Sequence, residues 1–295
     1  EAILWEPGCT YNLTPFKIVN NGTLALKYKV VVSGAVGDTD LLDVIDFSYT
    51  TEDGTFDINA EGHLGAGAST KLITMSGKMQ ETAGNDYMGK EVTGITITVV
   101  ATQDTVENDS YNNTYDANAT YPVVNAAELK ESLVNGGTVA VNKDIKTDNI
   151  ADNADSRVII SQPTTLNLDA KIISPDNMGN NNTNFCALIV DADTTINATA
   201  NGGIDTGVNG GYGINVRNGS NLTINGGYYY GGGTAVQVQK GTLTITGGTF
   251  ACEPYGAPYY YNFLLNCVDS AYKDGTAKII VKGGTFVNFD PSNNS

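Results

Sequence analysis

The sequence predicts an all-β protein with two domains, an antiparallel sandwich over residues 1–121 and a β-solenoid over residues 122–295. Apolar residues alternate with polar ones in the first part of the chain, and a strand–glycine motif recurs in the second. The composition, with 34 glycines and only 16% charged residues, favours turns and strands over helices. A length of 295 residues is sufficient for two domains with separate cores.

The sandwich is predicted from period-two alternation, which is typical of strands with one buried face. Every second residue from Leu24 to Val32 is apolar, and clusters of Gly, Asp and Asn typical of turns separate this run from the next ones. The spacing of the strands favours an antiparallel sandwich. Further strands are predicted at Leu41–Tyr49, Thr70–Met79 and Gly94–Thr102.

The interdomain linker is predicted at Asp109–Tyr121, which is rich in Asn, Asp, Tyr and Thr and ends before Pro122. Proline fixes its own φ and pushes the preceding residue towards an extended conformation. The second domain therefore begins at Pro122.

One helix is predicted directly after the linker, over Asn125–Asn135. Asn125 precedes Glu128 by three residues, as an N-cap does, and Gly136 ends the segment. We expect the helix to cover the open first coil of the solenoid and protect it from strand addition. Its apolar stripe consists of Ala126, Leu129, Leu133 and Val134.

A repeat follows the helix. Leu222–Tyr229 (LTINGGYY) recurs as Leu243–Phe250 (LTITGGTF) and Ile279–Phe286 (IIVKGGTF), and the copies start 21 and 36 residues apart (243 − 222 and 279 − 243). A second short strand, Ile214–Val216 and then Val236–Val238, precedes the first two copies. Degenerate earlier copies are predicted at Leu166–Leu168 and Thr195–Asn197.

Such short units cannot bury an apolar face alone, but stacked units can form one continuous core. The sequence therefore predicts a solenoid in which the Gly-Gly pairs form corners. The Thr and Asn residues between the apolar positions point outward. The predicted inward pairs are Leu222/Ile224, Leu243/Ile245 and Ile279/Val281.

The charge excludes several classes of partner. The chain has 16 Lys plus Arg against 32 Asp plus Glu, a net charge of −16, which repels nucleic-acid phosphates and anionic lipids. No apolar run approaches the roughly 18 residues of a membrane span, so no membrane insertion is expected. The four cysteines lack CxxC spacing, and the only disulfide favoured joins Cys252 to Cys267, which flank a tyrosine-rich loop.

The first domain resembles the TasA/camelysin family of secreted bacterial surface proteins. The resemblance covers about residues 1–121 and rests on Leu4–Gly8 (LWEPG), Pro15–Tyr28 (PFKIVNNGTLALKY) and Ile95–Gln103 (ITITVVATQ). It implies a jelly-roll-like sandwich and export from a Gram-positive bacterium to the cell surface or the biofilm matrix. Some family members assemble into fibres by donating a strand.

The protease activity in the camelysin name has no support in the residues. A zinc protease of that kind needs His-Glu-x-x-His, whose two imidazoles hold the metal beside a glutamate base. The only histidine is His63, in a glycine-containing segment, which we interpret as a surface turn residue.

The second domain is similar to the right-handed parallel β-helices of pectin-lyase-like proteins, over about residues 122–295. Many members cleave acidic polysaccharides, but a polygalacturonase-like site would need Gly-His-Gly and Arg-x-Lys, which are missing here. A lyase-like site needs carboxylates for Ca²⁺ and a basic residue. The candidates are Asp191, Asp193 and Arg217, with Asp205 and Arg157 nearby in sequence.

Asp191 and Asp193 are predicted to share one face of a strand, where they could form a weak Ca²⁺ site; no other cofactor is expected. The alternative interpretation is that they and Arg217 are ordinary polar strand-edge and turn residues.

Clustered tyrosines form the candidate ligand-binding site, because loops on a rigid scaffold often bind and a tyrosine can stack on a sugar while its hydroxyl forms hydrogen bonds. The alternative is that they pack on the solenoid or cover its end. The candidate residues are Tyr228, Tyr230, Tyr255, Tyr259, Tyr260 and Tyr261.

Three functions remain open. The first is a secreted, non-catalytic surface or matrix protein, adhesin-like, that binds glycan or a surface protein through the β-helix. The second is a polysaccharide-degrading, lyase-like enzyme that uses Asp191, Asp193 and Arg217. The third is a self-assembling matrix fibre subunit with Glu1–Pro7 as the donated strand.

Overall fold

A computed structural model of the chain describes residues 3, 5–33, 35–104, 119–148, 157–179, 183–207 and 210–293. The chain divides into two compact units, Glu1–Tyr121 and Pro122–Ser295, called here the antiparallel unit and the parallel-sheet unit. Strands dominate both, which confirms the all-β class. Most of the predicted linker, Asp109–Tyr121, lies outside the described residues.

The antiparallel unit contains a four-stranded sheet, β1-β7-β4-β5, a three-stranded sheet, β6-β2-β9, and the pair β3-β8. Every pairing is antiparallel. The strands are β1 Thr10–Asn12, β2 Leu26–Ser33, β3 Val36–Gly37, β4 Ile45–Thr51, β5 Gly54–Thr55, β6 Gly62–Leu64, β7 Thr74–Met79, β8 Val92–Thr93 and β9 Thr96–Gln103.

The two larger sheets share a core. Tyr28 and Val30 of β2 are buried, and Tyr49 of β4 packs against the same cluster, together with Ile73, which is 0% exposed. This is what the alternation from Leu24 to Val32 predicts for its central residues. Leu24 and Val32 themselves are exposed, because they lie at or beyond the ends of the buried part of β2.

The predicted strand Leu41–Tyr49 is wrong in its first half. Residues Thr39–Val44 form a 3₁₀ helix, and β4 begins only at Ile45. Three residues per turn place Leu41 and Val44 on the same side, where both are buried, so the apolar spacing is satisfied by a turn instead of a strand. A second 3₁₀ helix spans Asn85–Tyr87.

The parallel-sheet unit consists of three parallel sheets that the chain visits in turn. Sheet A is β10-β13-β16-β19-β22-β25, sheet B is β11-β14-β17-β20-β23-β26, and sheet C is β12-β15-β18-β21-β24. Each strand pairs with the strand three places earlier, so three consecutive strands form one coil, and successive coils stack in register.

The strands of sheet A are β10 Gly137–Val141, β13 Thr164–Leu168, β16 Thr194–Ala198, β19 Ser220–Asn225, β22 Gly241–Ile245 and β25 Ala277–Val281. Those of sheet B are β11 Ile145–Lys146, β14 Lys171–Ile173, β17 Gly203–Asp205, β20 Tyr228–Gly231, β23 Thr249–Cys252 and β26 Thr285–Phe286. Those of sheet C are β12 Ile159–Ile160, β15 Cys186–Val190, β18 Tyr212–Val216, β21 Thr234–Val238 and β24 Leu265–Cys267.

The predicted repeats pair directly with one another. Leu222 pairs with Leu243 and Ile224 with Ile245, and all four side chains are 0% exposed. The degenerate copies are also confirmed, since Leu166 pairs with Ile196. The last predicted pair is only partly inward: Val281 is 36% exposed, because β25 is the final strand of sheet A in the described part of the chain.

Gly226 and Gly227 form the corner between β19 and β20. Their φ angles of 88° and 91° lie in the left-handed region, and a Cβ on Gly226 would approach the Ala198 carbonyl oxygen to 2.4 Å. The Gly-Gly corner is therefore confirmed for this copy. In the later copies only the second glycine, Gly248 or Gly284, has a positive φ.

The outward side of sheet A is a ladder of small polar residues. Asn197 donates to Asn167 (3.1 Å), and Asn225 donates to Asn197 (3.0 Å), each from the side-chain amide to the side-chain oxygen of the preceding coil. These contacts place the Asn residues outside, as the repeat predicts.

Helix α1 spans Ala126–Asn135, as predicted. The Asn125 side chain accepts a hydrogen bond from the Glu128 N–H (2.9 Å), and Gly136 ends the helix with φ 77°. Leu129 and Leu133 are fully buried in the core of the parallel-sheet unit, and the Leu133 carbonyl accepts from Ser161 N–H. Val134 is 51% exposed, so its assignment to the apolar stripe is wrong.

A short helix α2, Asp269–Lys273, was not predicted from the sequence. Neither helix in the described ranges has the length and apolar character needed to cross a bilayer.

We expect Leu133→Ala to lower the free energy of unfolding of the parallel-sheet unit by about 2–5 kcal/mol, because it leaves a cavity beneath α1. Equilibrium urea denaturation followed by circular dichroism measures this value. The matched control is Val134→Ala, which should change the free energy by less than about 0.5 kcal/mol because its side chain is exposed. Equal effects of the two substitutions would contradict the packing described here.

Candidate functional site

Arg217 and Asp191 form a partly buried ion pair. The guanidinium donates from Nε to Asp191 Oδ1 (2.8 Å) and from Nη2 to Oδ2 (2.6 Å), a bidentate geometry. Its Nη1 donates to Asn184 Oδ1 (2.9 Å), in the segment before β15. The hydrogen bond to Asp191 is the main cause that raises the pKa of Arg217. A guanidinium held in this way remains charged and cannot accept a proton from a substrate.

Asp193 has different partners from Asp191. Its Oδ1 accepts from the Asn221 backbone N–H (2.8 Å) and side-chain amide (3.0 Å). The prediction that the two aspartates share one face of a strand is wrong, because they lie in the corner between β15 and β16. Among the described residues, no group of three or more His, Cys, Asp or Glu side chains could hold a metal ion.

The two remaining candidates, Asp205 and Arg157, lie at different sheets. Asp205 is the last residue of β17 in sheet B. Arg157 lies before β12 and has a buried Nε without a hydrogen-bond partner. The structure therefore places Arg157 near the Asp191–Arg217 pair, since all three charges act on the buried Cys186 thiol, but it places Asp205 in a different sheet and gives Asp193 separate partners.

His63 lies in β6 and not in a turn. Its Nδ1 is 2.7 Å from Asp104 Oδ2, and its side chain is 51% exposed. The strand assignment corrects the interpretation as a turn residue, although the side chain does lie at the surface.

The predicted disulfide is also wrong. Cys252 ends β23 in sheet B, whereas Cys267 ends β24 in sheet C, and all four cysteines are free thiols. The sequence places them on either side of one loop, but the loop connects two different sheets.

Tyr228 and Tyr230 lie on the outward side of sheet B. They flank Tyr229, which points inward, is 0% exposed and stacks on Phe250 with ring centroids 5.0 Å apart. Side chains alternate along a strand, so Tyr228 and Tyr230 share the outward face, where both are half-buried. We call this pair with Lys171, Asp205 and Glu253 the tyrosine face.

Lys171 and Asp205 extend the tyrosine face across two neighbouring coils. Lys171 Nζ lies 5.0 Å from the centroid of the Tyr228 ring and 3.2 Å from Asp205 Oδ2. The residue between Lys171 and Tyr228 in the same row is Gly203. A Cβ on Gly203 would lie 1.8 Å from the Tyr228 carbonyl oxygen, so the close approach of the two strands requires glycine here.

Glu253 follows β23 and accepts a hydrogen bond from the Tyr230 hydroxyl. Burial, followed by the negative charge of Glu253, raises the pKa of Tyr230 to about 12. Tyr228 and Asp205 act in the same direction on this pKa. The hydroxyl is therefore protonated throughout the physiological range and remains a hydrogen-bond donor.

The loops from sheet B to sheet C differ in length from coil to coil. Residues 174–185 and 253–264 form long connections, whereas residues 206–211 and especially Gly232–Gly233 form short ones. The tyrosine face ends at this short connection, directly after Tyr230 and Gly231. A Cβ on Gly231 would lie 1.8 Å from the Thr234 carbonyl oxygen, so the tight turn requires glycine.

The long loop after β23 holds the remaining predicted tyrosines in three different environments. Tyr255 packs edge-on against Phe263 (centroids 5.4 Å apart), and burial and then the nearby Tyr212 raise its pKa. Tyr259 and Tyr260 are 53% and 57% exposed. Tyr261 packs against the core of the unit.

The six predicted tyrosines therefore do not form a single surface. Sequence reasoning missed Lys171, Glu253, Phe263 and Tyr212, which contact or lie near them. No local signal could have found these residues, since the coil register and the long loop bring them into place.

We expect Asp191→Asn to lower the free energy of unfolding by about 2 kcal/mol, because it leaves the half-buried Arg217 without its anionic partner. Asp193→Asn is the matched control and should change the free energy by less than about 1 kcal/mol, since an amide oxygen can still accept both hydrogen bonds from Asn221. Urea denaturation of both variants measures the difference. If both variants are equally stable, the ion pair contributes no stability.

We expect Tyr230→Phe to reduce the decrease in the free energy of unfolding between pH 10 and 12. An unfolded tyrosine ionises near about 10, whereas the folded pKa is about 12. The folded state thus retains this proton more tightly. The contribution of the Tyr230 hydroxyl to the free energy of unfolding is therefore complete below pH 10 and is lost as the pH rises to 12. Denaturation midpoints at stepped pH test this, with Tyr259→Phe as the control. Identical pH slopes for wild type and Tyr230→Phe would exclude the effect.

Comparison with protein-family models, with curated proteins and with solved structures returned no match for this chain. The function must therefore be argued from the residues and from the geometry of the tyrosine face.

Proposed function

We propose that the chain is a secreted, non-catalytic bacterial cell-surface or extracellular-matrix protein, adhesin-like, that binds glycan through the tyrosine face. In this proposal the antiparallel unit is a jelly-roll-like, TasA/camelysin-like sandwich. The parallel-sheet unit is a right-handed parallel β-helix of the pectin-lyase-like kind. Right-handed crossovers account for nearly all parallel strand connections, which supports this handedness.

The observation that carries the proposal is the pairing of two outward tyrosines with hydrogen-bonding side chains on a rigid strand. Tyr228 and Tyr230 are held by the stacked coils, and only their outward sides are accessible. A sugar ring presents an apolar face and a rim of hydroxyl groups, which matches an aromatic ring bordered by carboxylates and an ammonium. Asp205, Glu253 and Lys171 supply that border.

The position of the tyrosine face supports binding of an extended ligand. The face leads to the short Gly232–Gly233 connection, with the long connections 174–185 and 253–264 on earlier and later coils. A chain of sugars can lie across the two coils between the long loops, because the connections of these two coils are shorter. Tyr259 and Tyr260, both exposed on the later loop, are available for further sugar units.

A non-catalytic role is favoured over a lyase because the lyase candidates are occupied by contacts with other residues. Arg217 is bonded to Asp191 and Asn184, and Asp193 accepts from Asn221. The catalytic proposal would need a basic residue that can take a proton from the sugar. We therefore interpret Asp191, Asp193 and Arg217 as residues that stabilise the corners of the coils.

The proposal is tested by measuring retention of the full chain on a panel of immobilised polysaccharides, together with the size of soluble glycans after incubation. We expect retention on at least one glycan without shortening. Tyr228→Ala and Tyr230→Ala should each weaken retention about fivefold or more, since stacking of a ring on an aromatic side chain contributes on the order of 1 kcal/mol or more.

The matched control is Tyr272→Ala, which removes a tyrosine that is 57% exposed on α2, in the connection from sheet C to sheet A and not on sheet B. It should retain wild-type binding. Equal losses for Tyr272→Ala and Tyr230→Ala, or shortening of the glycan, would overturn the proposal.

A further inference from the structure

We propose that the tyrosine face binds glycans that carry protonated amino groups in preference to neutral or uronic-acid glycans. This inference rests on the proposed function and names the class of ligand for the same site. It is argued from the charges around Tyr228 and Tyr230 and from the position of the Lys171 ammonium.

The Lys171 ammonium shows how a cation is held on this face. It lies over the Tyr228 ring at 5.0 Å and contacts Asp205 Oδ2 at 3.2 Å, so the ring and the carboxylate bind it together. The Asp205 carboxylate is positioned by its other oxygen, which accepts from the Gly207 N–H at 3.0 Å. An aromatic face combined with a carboxylate is the arrangement that recognises ammonium groups.

A second carboxylate lies on the next coil, where Glu253 accepts a hydrogen bond from the Tyr230 hydroxyl. Tyr228 and Tyr230 lie two residues apart on one strand, so their rings are neighbours on the outward face. A ligand that stacks on Tyr230 therefore brings its substituents to the Glu253 carboxylate, since Asp205 is already paired with Lys171. An amino group on that ligand would pair with Glu253 as the Lys171 ammonium pairs with Asp205.

The wider surroundings contain a further carboxylate and a further ammonium. The exposed Lys146 lies two coils from Asp205 in the same outward row. The Asp176 carboxylate lies beside Gly207, where an added Cβ would be 2.1 Å from its Oδ1, and Gly207 in turn donates to Asp205. The whole chain carries a net charge of −16. A uronic-acid polymer would bring further carboxylates to this region and be repelled, whereas an amino-sugar polymer would be attracted.

The test compares three soluble oligosaccharides of equal length at slightly acid pH: a glucosamine oligomer, its fully N-acetylated counterpart and a galacturonate oligomer. The first two have the same backbone and differ only in the charge of the amino group. Isothermal titration calorimetry on the full chain measures each affinity. We expect the glucosamine oligomer to bind at least tenfold more tightly than the acetylated one and the galacturonate oligomer not to bind.

A pair of variants separates the local site from the attraction of the whole acidic protein. Glu253→Gln removes one carboxylate from the tyrosine face and should weaken glucosamine binding about tenfold, as expected for loss of a charge-assisted contact. Glu131→Gln makes the same change of net charge on the exposed side of α1 and should leave affinity unchanged. Equal losses in both variants would show that only overall charge attracts the ligand and would overturn the inference.

The outcomes also distinguish this inference from the proposed function. If the acetylated or galacturonate oligomer binds best and depends on Tyr230, glycan binding stands and the preference for amino groups is wrong. If none of the three oligosaccharides binds in a Tyr230-dependent manner, the preference for amino groups is wrong; if the polysaccharide panel also shows no Tyr230-dependent retention, the proposed function is wrong as well. Binding of a basic protein segment instead of any glycan would place the site in a different class of partner and would also overturn both.

Discussion

The parallel-sheet unit depends on the stacking of inward aliphatic side chains at the same position of successive coils. In sheet A this row begins at Val139 and continues through paired residues of the next four strands, all of them buried. Each side chain buried in this way contributes about 1.5–3 kcal/mol. A single coil could not supply such a core, so the coils are stable only together. The further members of the row are Leu166, Ile196, Ile224 and Ile245.

This stacking also determines which side chains lie on the outer faces of the sheets. Because strands alternate their side chains and the coils are in register, every outward position becomes part of a row that crosses the coils. Sheet A presents hydrogen-bonded Asn residues, whereas sheet B presents Lys171, Asp205, Tyr228 and Tyr230. The two faces differ in chemistry although the same core supports them, so only one of them is a candidate binding surface for sugars.

The inward row of sheet B changes from aliphatic to aromatic along the unit. Ile172 and Ile204 are followed by Tyr229, Phe250 and Phe286, whose rings stack nearly parallel, with interplanar angles of 14° and 13°. This aromatic stack lies directly beneath the outward tyrosines. It fixes the strand that carries Tyr228 and Tyr230, and it makes the tyrosine face rigid before any ligand is present.

The sequence by itself determined the features that depend on local periodicity and turn chemistry. Alternation and the LTINGG repeat predict the strands and the inward residues Leu222, Ile224, Leu243 and Ile245. Asn125 and Gly136 predict the two ends of α1. These predictions succeed because each signal lies within one element. Local patterns failed where the conformation of a segment, or the partners of its side chains, depends on other parts of the chain. Asp191 and Asp193 have different partners, Cys252 and Cys267 lie in different sheets, and Leu41 and Val44 are buried by a 3₁₀ turn.

Only the tertiary structure decided the composition of the tyrosine face. Lys171, Asp205, Tyr230 and Glu253 come from four successive coils, and the intervals between them along the chain depend on loops of different length. Contact between them follows from the coil register, which is set by packing of the whole core and not by any short stretch of sequence.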